Sequence, residues 1–242
     1  MFTCCFVLNL LSCNPSSSGL DIMAAKTGGK KKADMKVVIM GDFAIGKTAL
    51  LQRYISGAFQ DTTSTIGASF MLKQWGPYNI AIWDTAGNER YSGLTTFYVR
   101  GASAAILAYD ISDRRTFDIL QERFLPILEG AEDDCLIAVV GTKLDLVTEE
   151  TRQVLPDEAE NLAKELNTPR NEKHRTVADR KLSFETSAKS GHNVEELFSA
   201  MFDICLPLDK APKTPKRNTS TVDLEAPSSN KVPMGEKAGC CN

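Results

Sequence analysis

The chain has 242 residues, of which 43% are hydrophobic and 24% are charged. This composition is typical of a globular protein and excludes wholesale disorder, collagen and a coiled coil, while the length is sufficient for one sizeable core with tails. The net charge of -3 provides no overall basic field, so we expect no nucleic-acid partner. The seven cysteines are odd in number, which favours a reducing compartment over a disulfide framework.

The first 34 residues show no sustained helix or strand periodicity. Their apolar run from Cys4 to Leu11 is about eight residues long, far below the roughly 20 that a membrane-spanning helix needs, and no basic residue precedes it as in a secretory signal. We therefore expect no segment that spans a membrane. Residues 1–34 are interpreted as a flexible extension, and Met23 stands where an alternative start would remove residues 1–22.

From residue 35 the chain alternates short apolar runs with segments of helical length. The runs predict buried strands at Lys36–Met40, Asn79–Trp83, Ala104–Tyr109 and Leu136–Val140. The other patterns predict helices at Lys47–Ser56, Arg114–Glu129, Pro156–Leu166 and Val194–Cys205. Strands separated by helices in this way indicate a parallel sheet covered on both faces, so we predict one α/β domain over residues 35–207.

Two polar segments stand apart from this pattern. Residues 167–181 combine five Lys or Arg with two acids and lack apolar periodicity, which predicts a surface insertion of unassigned function. Residues 208–242 contain four prolines among Ser, Thr and Lys and cannot bury a core, so we predict a disordered tail. The tail ends in Cys240 and Cys241.

The segment Gly41–Thr48 matches the pattern G-x-x-x-x-G-K-[ST] between a predicted strand and a predicted helix. In this context backbone N–H groups wrap the β-phosphate of a nucleotide, Lys47 reaches the β- and γ-phosphate oxygens, and Thr48 offers its hydroxyl to Mg²⁺. A chance match occurs in roughly one chain in a hundred of this length, and the flanking elements make chance rarer still. The predicted phosphate site comprises Gly41, Asp42, Phe43, Ala44, Ile45, Gly46, Lys47 and Thr48.

The base is predicted from a second motif, Thr142-Lys143-Leu144-Asp145, which follows a predicted strand and resembles the guanine-reading pattern N/T-K-x-D. The Asp145 carboxylate would accept hydrogen bonds from guanine N1–H and the exocyclic amine. Adenine offers neither donor, and an unpaired buried carboxylate would cost several kcal/mol. The aliphatic stem of Lys143 can lie along the base while Phe59 covers it near the ribose, and the downstream segment Glu185–Lys189 (ETSAK) strengthens guanine over a chance cluster of polar residues.

Five motifs occur in order: GDFAIGKT, TIG at Thr65–Gly67, WDTAG at Trp83–Gly87, TKLD and ETSAK. Together they resemble the small GTPases of the Ras superfamily, and the tail resembles that of the Rab branch. The segment Phe70–Trp75 and the long stretch between TKLD and ETSAK are most similar to the divergent Rab subfamily numbered twenty. The resemblance implies a P-loop small-GTPase fold, with a six-stranded, mostly parallel sheet and helices on both faces.

The resemblance also implies roles for individual residues. It assigns Mg²⁺ to Thr48, Thr65 and Asp84, places the Gly87 N–H on the γ-phosphate, and makes loss of that phosphate release two loops, so that the output is a conformational signal. It places Ser187, Ala188 and Lys189 at the nucleotide, and Lys47, Thr65, Gly87 and Asn88 in the hydrolytic site. Phe70, Trp83 and Tyr98 match an aromatic triad contacted by Rab effectors, although such aromatics are core residues about as often.

Two residues depart from the family pattern. Asn88 stands where most members have a glutamine, and its shorter amide should reach the attacking water poorly. Phe43 occupies a position that is usually small and faces the approach of water and of an activating protein's arginine, a group worth 10³ to 10⁵ in rate. We expect slow GTP hydrolysis and a persistent GTP state, unless the switch loops re-aim another group and catalysis stays near normal.

The C-terminal pair Cys240 and Cys241 resembles a Rab double-geranylgeranyl signal, and two lipid chains make a stable anchor where one does not. The resemblance implies a lipid-anchored protein on the cytoplasmic face of endosomes, phagosomes or the Golgi, with a cytosolic pool. It implies GTP, GDP and Mg²⁺ as ligands. Its implied partners are Rab effectors, an exchange factor, a GTPase-activating protein, a Rab escort protein and a GDP-dissociation inhibitor.

Two other functions remain open from the sequence. One is a nucleotide-held membrane scaffold with negligible hydrolysis, which a lack of response to any activating protein would favour. The other is a P-loop phosphotransferase acting on a small substrate, which needs ATP and a substrate lid. The TKLD motif argues against the phosphotransferase, because this motif resembles a guanine-reading pattern and the phosphotransferase needs ATP.

Overall fold

The computed structural model describes residues 33–87, 97–132, 134–168 and 180–210. The predictions on residues 1–32, on Asn88, on positions 169–179 and on the tail from 211 with Cys240 and Cys241 lie outside the described residues. In chain order the elements are β1 (Met35–Met40), α1 (Lys47–Ser56), β2 (Ala68–Trp75), β3 (Tyr78–Thr85), β4 (Ala104–Asp110), α2 (Arg114–Ile119), β5 (Leu136–Thr142), α3 (Pro156–Asn167), β6 (Ser183–Glu185) and α4 (Val194–Cys205).

The six strands form one sheet in the order β2-β3-β1-β4-β5-β6. Only the β2–β3 pair is antiparallel, and β1, β3, β4, β5 and β6 run parallel. Every residue of β4 and β5 is buried, as expected for central strands covered on both faces. The predicted six-stranded, mostly parallel α/β sheet is confirmed.

Two strands were missed by the apolar-run criterion. β2 is an edge strand with several exposed residues, so its sequence ASFMLKQW contains no continuous buried run. β6 has three residues, which is too short for a periodicity to register. Both strands are fixed by pairing with a neighbour rather than by their own hydrophobic pattern.

The predicted helix Arg114–Glu129 is wrong as a single α-helix. α2 ends at Ile119, a π-helical segment covers Leu120–Phe124, and a 3-10 turn covers Pro126–Gly130. The Leu125 N–H donates to the Leu120 carbonyl at 3.0 Å, which is the i to i+5 bond of a π-turn. Pro126 has no N–H to continue an α-helix, and the wider turn places Leu120 and Phe124 together in the core.

The predicted surface insertion 167–181 begins too early, because its first residue is not on the surface. Asn167 is the last residue of α3 and is buried. Its Nδ2 donates to the carbonyls of Ile137 and Ala163, both at 2.7 Å, and its Oδ1 accepts from the Ile137 N–H at 3.0 Å. This amide attaches α3 to the start of β5, so its polarity reflects backbone pairing rather than exposure.

The sheet directs its loops to one edge. β1 lies between β3 and β4, and the connections leave it in opposite directions, so a crevice opens at the carboxyl ends of the parallel strands. Near the C-terminal end of α1, Tyr54 stacks on Phe198 of α4 at 3.9 Å and anchors the helix. Within the described residues, no helix is both long and apolar enough to cross a bilayer.

Candidate functional site

The loop between β1 and α1 begins at a glycine that the core requires. Gly41 has φ +145, and a Cβ there would overlap the carbonyl oxygen of Ala108. Ala44 holds a left-handed φ of 58, and Gly46 one of 95, so successive backbone N–H groups turn toward the helix N-terminus. This is the backbone arrangement that binds anions.

A cavity of about 250 Å³ opens on this loop. Residues from three segments form its wall, namely Phe43, Ala44, Gly46, Lys47, Thr48, Thr62, Thr63, Ser64, Thr65, Thr85 and Gly87. The structure therefore brings together the predicted phosphate-loop residues, Thr65 of the following loop and Gly87 at the end of the WDTAG motif. Phe59, predicted to cover the base, is exposed and is not among the residues that line this cavity.

Lys47 is buried, and its Nζ donates to the carbonyls of Gly41 at 3.0 Å and Asp42 at 2.6 Å. Burial lowers the pKa of Lys47 to about 8, against the opposing effect of the Asp84 and Asp42 carboxylates, and the nearby Arg123 lowers it further. A polyphosphate in the cavity would supply the anionic partner that favours the charged ammonium.

Three oxygen-bearing side chains converge beside Lys47. Thr48 Oγ1 donates to Asp84 Oδ2 at 2.7 Å and lies 2.8 Å from Thr65 Oγ1, which is 3.3 Å from the same carboxylate oxygen. Asp84 is fully buried, and its other oxygen, Oδ1, has no hydrogen-bond partner in the described part of the chain. Burial raises the pKa of Asp84, in part offset by hydrogen bonds from Thr48 and Thr65 and by the Lys47 charge.

These oxygens fit a hard divalent cation. Mg²⁺ is bound in nucleotide sites through one or two protein oxygens together with substrate phosphates and water, which matches two hydroxyls, one carboxylate and an adjoining cavity. The orphaned Asp84 Oδ1 is the kind of atom that a coordinated water would satisfy. Thr48, Thr65 and Asp84 are therefore the residues that would hold the metal.

Gly87 packs directly on the phosphate loop. A Cβ there would overlap the backbone of Asp42 and the nitrogen of Phe43. The start of the segment after β3 is thus in backbone contact with the loop that would hold the phosphates.

The second end of the site is formed by the loops after β5 and β6. The Thr142 hydroxyl lies 2.6 Å from the Ile45 carbonyl and 2.8 Å from the Tyr109 carbonyl, so it ties β5 to the phosphate loop. Ser187 Oγ donates to Asp145 Oδ1 at 2.6 Å and orients the carboxylate predicted to read guanine.

Lys143 has a left-handed φ of 61, and its Nζ lies 2.7 Å from Asp110 Oδ2. Burial alone would raise the pKa of Asp110, but hydrogen bonds from Lys143 and Ser112 outweigh it and hold that pKa below its ordinary value. The charged end of Lys143 is therefore occupied by the protein, which leaves its aliphatic stem as the part available to a base. Ala188 and Lys189 follow Ser187 in the adjoining turn, and their contact with a nucleotide stays a prediction.

The predicted aromatic triad is brought together on the sheet. The Phe70 and Trp83 ring centroids are 5.0 Å apart, Trp83 stacks on Tyr98 at 5.2 Å, and Lys36 Nζ lies 5.5 Å from the Trp83 ring. Phe70 is 47% exposed, and the adjoining Phe97 is 72% exposed. Phe70 therefore presents apolar surface to solvent, whereas Trp83 is partly buried and packs against the core.

Sequence reasoning placed Asp42 at the phosphates but missed what its side chain does. The carboxylate forms ion pairs with Arg115 and Arg123, while the Asp42 carbonyl accepts a hydrogen bond from Lys47. It also missed the Thr142 hydroxyl as a link to the phosphate loop. Neither contact has a signal in motif spacing, since both depend on which side chains the sheet brings near one another.

Comparison with known proteins gives a consistent result. The model of the Ras family matches residues 36–206. The chain is 40% identical to human Ras-related protein Rab-20 over 236 residues, covering 87% of this chain and 99% of that protein, and 39% identical to its mouse counterpart with the same coverage. It is 38% identical to Ras-related protein SEC4 of Saccharomyces cerevisiae over 188 residues, covering 75% of this chain and 80% of that protein.

Proposed function

The chain belongs to the Ras family of small GTPases, in the Rab branch, and from this premise we propose that it is a switch that binds GTP or GDP with Mg²⁺ and recruits effectors to vesicle membranes. The observation that carries the proposal is the convergence of Thr48, Thr65 and Asp84 oxygens next to the buried Lys47 ammonium. A site with a cation, an anion-binding loop and hydroxyls from two separate loops suits a magnesium polyphosphate.

Different residues of the site are proposed to bind the phosphates, select the base and respond to the terminal phosphate. Lys47 and the turned backbone of Gly41–Gly46 would bind the phosphates, while Asp145, held by Ser187, would select guanine. Bound Mg²⁺ would supply charge neutralisation between the phosphate oxygens. Thr65 lies within reach of the Thr48 and Asp84 side chains, so its loop closes when these groups share a ligand and is released when the terminal phosphate is lost.

Hydrolysis by this switch is proposed to be slow. Phe43 lines the cavity and is 53% exposed, which supports the proposal that its bulky ring obstructs the approach of a water or of an activating arginine. Asn88 adds a short amide at the water-positioning place implied by the resemblance. Since water placement and the arginine supply most of the rate in this chemistry, both residues act in the same direction.

Single-turnover cleavage of GTP by the purified full chain tests the rate. Phe43→Ser and Asn88→Gln are each expected to accelerate cleavage by about tenfold, because positioning groups contribute on the order of one to a few powers of ten. Leu155→Ser removes a similarly exposed apolar side chain that does not line the cavity and should leave the rate unchanged. A wild-type rate equal to that of a glutamine-bearing relative would overturn slow hydrolysis.

A second candidate is a nucleotide-held scaffold whose hydrolysis is negligible, which the exposed Phe43 ring also favours. The two differ in their response to activating proteins. Acceleration by any activating protein for this family supports the switch. Cleavage that stays unresponsive to such proteins, in the wild type and in Phe43→Ser alike, supports the scaffold.

The membrane end is proposed from the sequence alone. Geranylgeranyl groups on Cys240 and Cys241 would anchor the chain, and Lys210 and Lys213 precede them in the tail. We propose endosomes, phagosomes or the Golgi as the membranes, with escort protein and dissociation inhibitor maintaining a cytosolic pool. A fluorescent fusion should lie on these membranes and become diffuse in Cys240→Ser/Cys241→Ser, and a diffuse wild-type fusion would contradict the anchor.

The cluster of Phe70, Trp83 and Tyr98 is proposed as the effector contact. Its rings stack on each other while Phe70 remains half-exposed, so binding could bury aromatic area that folding left in water. Phe70→Ala should weaken capture of GTP-dependent effectors by about tenfold or more without altering nucleotide affinity. Equal capture by Phe70→Ala and the wild type would remove the cluster from the interface.

A further inference from the structure

Asp42 carries a buried carboxylate on the phosphate loop. The residue is 6% exposed, and its two oxygens have separate partners: Oδ2 lies 3.1 Å from Arg115 Nη2 and Oδ1 lies 3.7 Å from Arg123 Nη1. A buried carboxylate needs such partners because its desolvation is costly. Here the partners come from a distant part of the chain.

The backbone of the same residue is central to the phosphate end. The Asp42 carbonyl accepts a hydrogen bond from Lys47 Nζ at 2.6 Å, and Gly87 packs against that carbonyl. One residue therefore joins the lysine predicted to bind phosphate, the start of the segment after β3, and two arginines. A shift of Asp42 would therefore disturb both Lys47 and the backbone at Gly87.

Arg123 is the more buried of the two arginines. Its side chain is 24% exposed, against 65% for Arg115, which also faces Asp113 at 3.7 Å. Exposed pairs contribute little because water and salt screen them, so the less exposed Arg123 is expected to contribute more even though its distance is longer. Its charge also acts on Lys47, whose pKa it lowers.

The π-turn places Arg123 where it can do this. Leu120 and Phe124 are both buried, and the i to i+5 bond from Leu125 to Leu120 widens the turn between them. Arg123 lies within this turn, and its guanidinium lies 5.2 Å from the Phe124 ring. π-turns inside helices occur frequently at functional sites.

We infer that Arg123, assisted by Arg115, is a positioning residue of the nucleotide site: it neutralises the buried Asp42 carboxylate behind the phosphate loop and so allows that loop to hold a polyphosphate. Without Arg123 the carboxylate would keep only the exposed Arg115 as a partner, and less of its negative charge would be compensated on the loop that must bind negative phosphates, beside the carbonyl that holds Lys47. The inference rests on the proposed nucleotide switch and adds a residue outside the five motifs to it.

The test measures release of a fluorescent GDP from the full chain in Mg²⁺. Arg123→Leu should release GDP about tenfold faster, and Arg115→Leu about two- to threefold faster, since lost partners of buried charges cost more than lost surface pairs. Arg114→Leu is the matched control, because Arg114 precedes Arg115 on α2 but pairs with Asp118 and Glu158 instead of Asp42. Its release rate should stay within about twofold of the wild type.

Rescue of GDP release by a second substitution, at Asp42, distinguishes a positioning role of Arg123 from a merely structural one. In Asp42→Asn/Arg123→Leu the carboxylate is neutral and needs no arginine, so release should return to within about threefold of Asp42→Asn alone. Arg123→Lys keeps the charge and should lie between the wild type and Arg123→Leu. Thermal unfolding of each variant identifies any that does not fold, and Arg123→Gln then replaces Arg123→Leu in the same cycle.

The outcomes are distinct. If wild-type chain bound no GDP, the proposed function would fail and this inference with it. If the wild type bound GDP but Arg123→Leu released it at the wild-type rate, only the inference would be overturned. Faster release that persists to the same extent in the Asp42→Asn background would likewise overturn it, because Arg123 would then act independently of that carboxylate.

Discussion

The two ends of the site differ in how completely the protein satisfies its own polar groups. At the guanine end, Thr142 bonds to backbone carbonyls and Ser187 holds Asp145. At the phosphate end, Lys47 is buried against carbonyls with a lowered pKa, and Asp84 Oδ1 has no partner among the described residues. One end is preorganised, and the polar groups of the other would become satisfied if a charged ligand bound there.

This contrast predicts a division of function. A hydrogen-bonded, preorganised end discriminates between bases because a wrong base leaves its groups unpaired. An end with unpaired charge responds to the number of phosphates, to metal and to protons. We expect Asp145 to report on the guanine end, Thr48 and Lys47 on the phosphate end, and Thr142 on the link between them.

The largest effect is expected at the guanine end. Asp145→Ala removes the acceptor of two guanine donors and should weaken GDP binding by about 100-fold or more, since hydrogen bonds to charged groups contribute about 1.5–3 kcal/mol each. The affinity of Asp145→Ala for ATP should equal that of the wild type. Asp157→Ala, on an exposed first turn of α3, is the control, and calorimetric titration is the measurement. GDP binding as tight in Asp145→Ala as in the wild type would mean that Asp145 does not read the base.

At the phosphate end, Thr48→Val removes a hydroxyl that faces Asp84 and Thr65 while keeping the side-chain shape. The Mg²⁺ concentration needed for half-maximal GTP retention should rise by about 10- to 100-fold, as for loss of groups that hold or orient a metal. Thr151→Val, an exposed threonine, should leave it unchanged. An unaltered Mg²⁺ requirement in Thr48→Val would place the metal elsewhere.

Loss of the Thr142 hydroxyl, which links the two ends, is expected to have a smaller effect, and this effect is on stability. Thr142→Val leaves the buried Ile45 carbonyl without its donor and should lower the free energy of unfolding by about 1–2 kcal/mol in urea titrations. Thr168→Val removes a hydroxyl bond at the exposed end of α3 and should cost less than about 0.5 kcal/mol. Equal small losses would show that the Thr142 contact does not hold the ends together.

The smallest effect concerns protons at Lys47. Because the pKa of Lys47 in the free protein is lowered to about 8 and bound phosphates should restore it toward its ordinary value, GDP binding should take up a fraction of a proton that grows with pH, and affinity should fall as pH rises through 8. Uptake should rise from about 0.1 proton at pH 7 to about 0.5 at pH 8, which weakens binding about twofold over that interval. Calorimetry in two buffers of different ionisation enthalpy measures it, and heats independent of buffer would contradict a lowered Lys47 pKa.

The lowered pKa of Lys47 also determines how the stability of the ligand-free fold depends on pH. A folded-state pKa below the ordinary value means that the unfolded chain binds more protons between about pH 8 and 10.5, so the Lys47 contribution stabilises the ligand-free fold as pH rises through that window.

Much of the fold could be predicted because its strongest signals are local. Central strands such as β4 are buried on both faces and appear as apolar runs, and the phosphate loop has a fixed spacing that its backbone chemistry requires. The edge strand β2 and the π-turn at Leu120 could not be predicted, because pairing partners and core packing decide them.

The candidate site divides in the same way. Lys47, Thr48 and Asp145 belong to motifs whose chemistry is readable in the sequence. The Arg123–Asp42 pair and the Thr142–Ile45 bond connect residues far apart along the chain, and only the folded sheet brings them together. Asn167 was assigned to the surface from its polarity, although its amide is buried on β5.

The most direct test of the central claim is calorimetric titration of the purified full chain with GDP and with GTP in Mg²⁺, repeated with excess ATP and with Mg²⁺ chelated. The account predicts one nucleotide bound per chain with a Kd tighter than about 1 µM, no competition by ATP, and weaker GTP binding without Mg²⁺. Absence of binding to both guanine nucleotides, or equal binding of ATP, would contradict it.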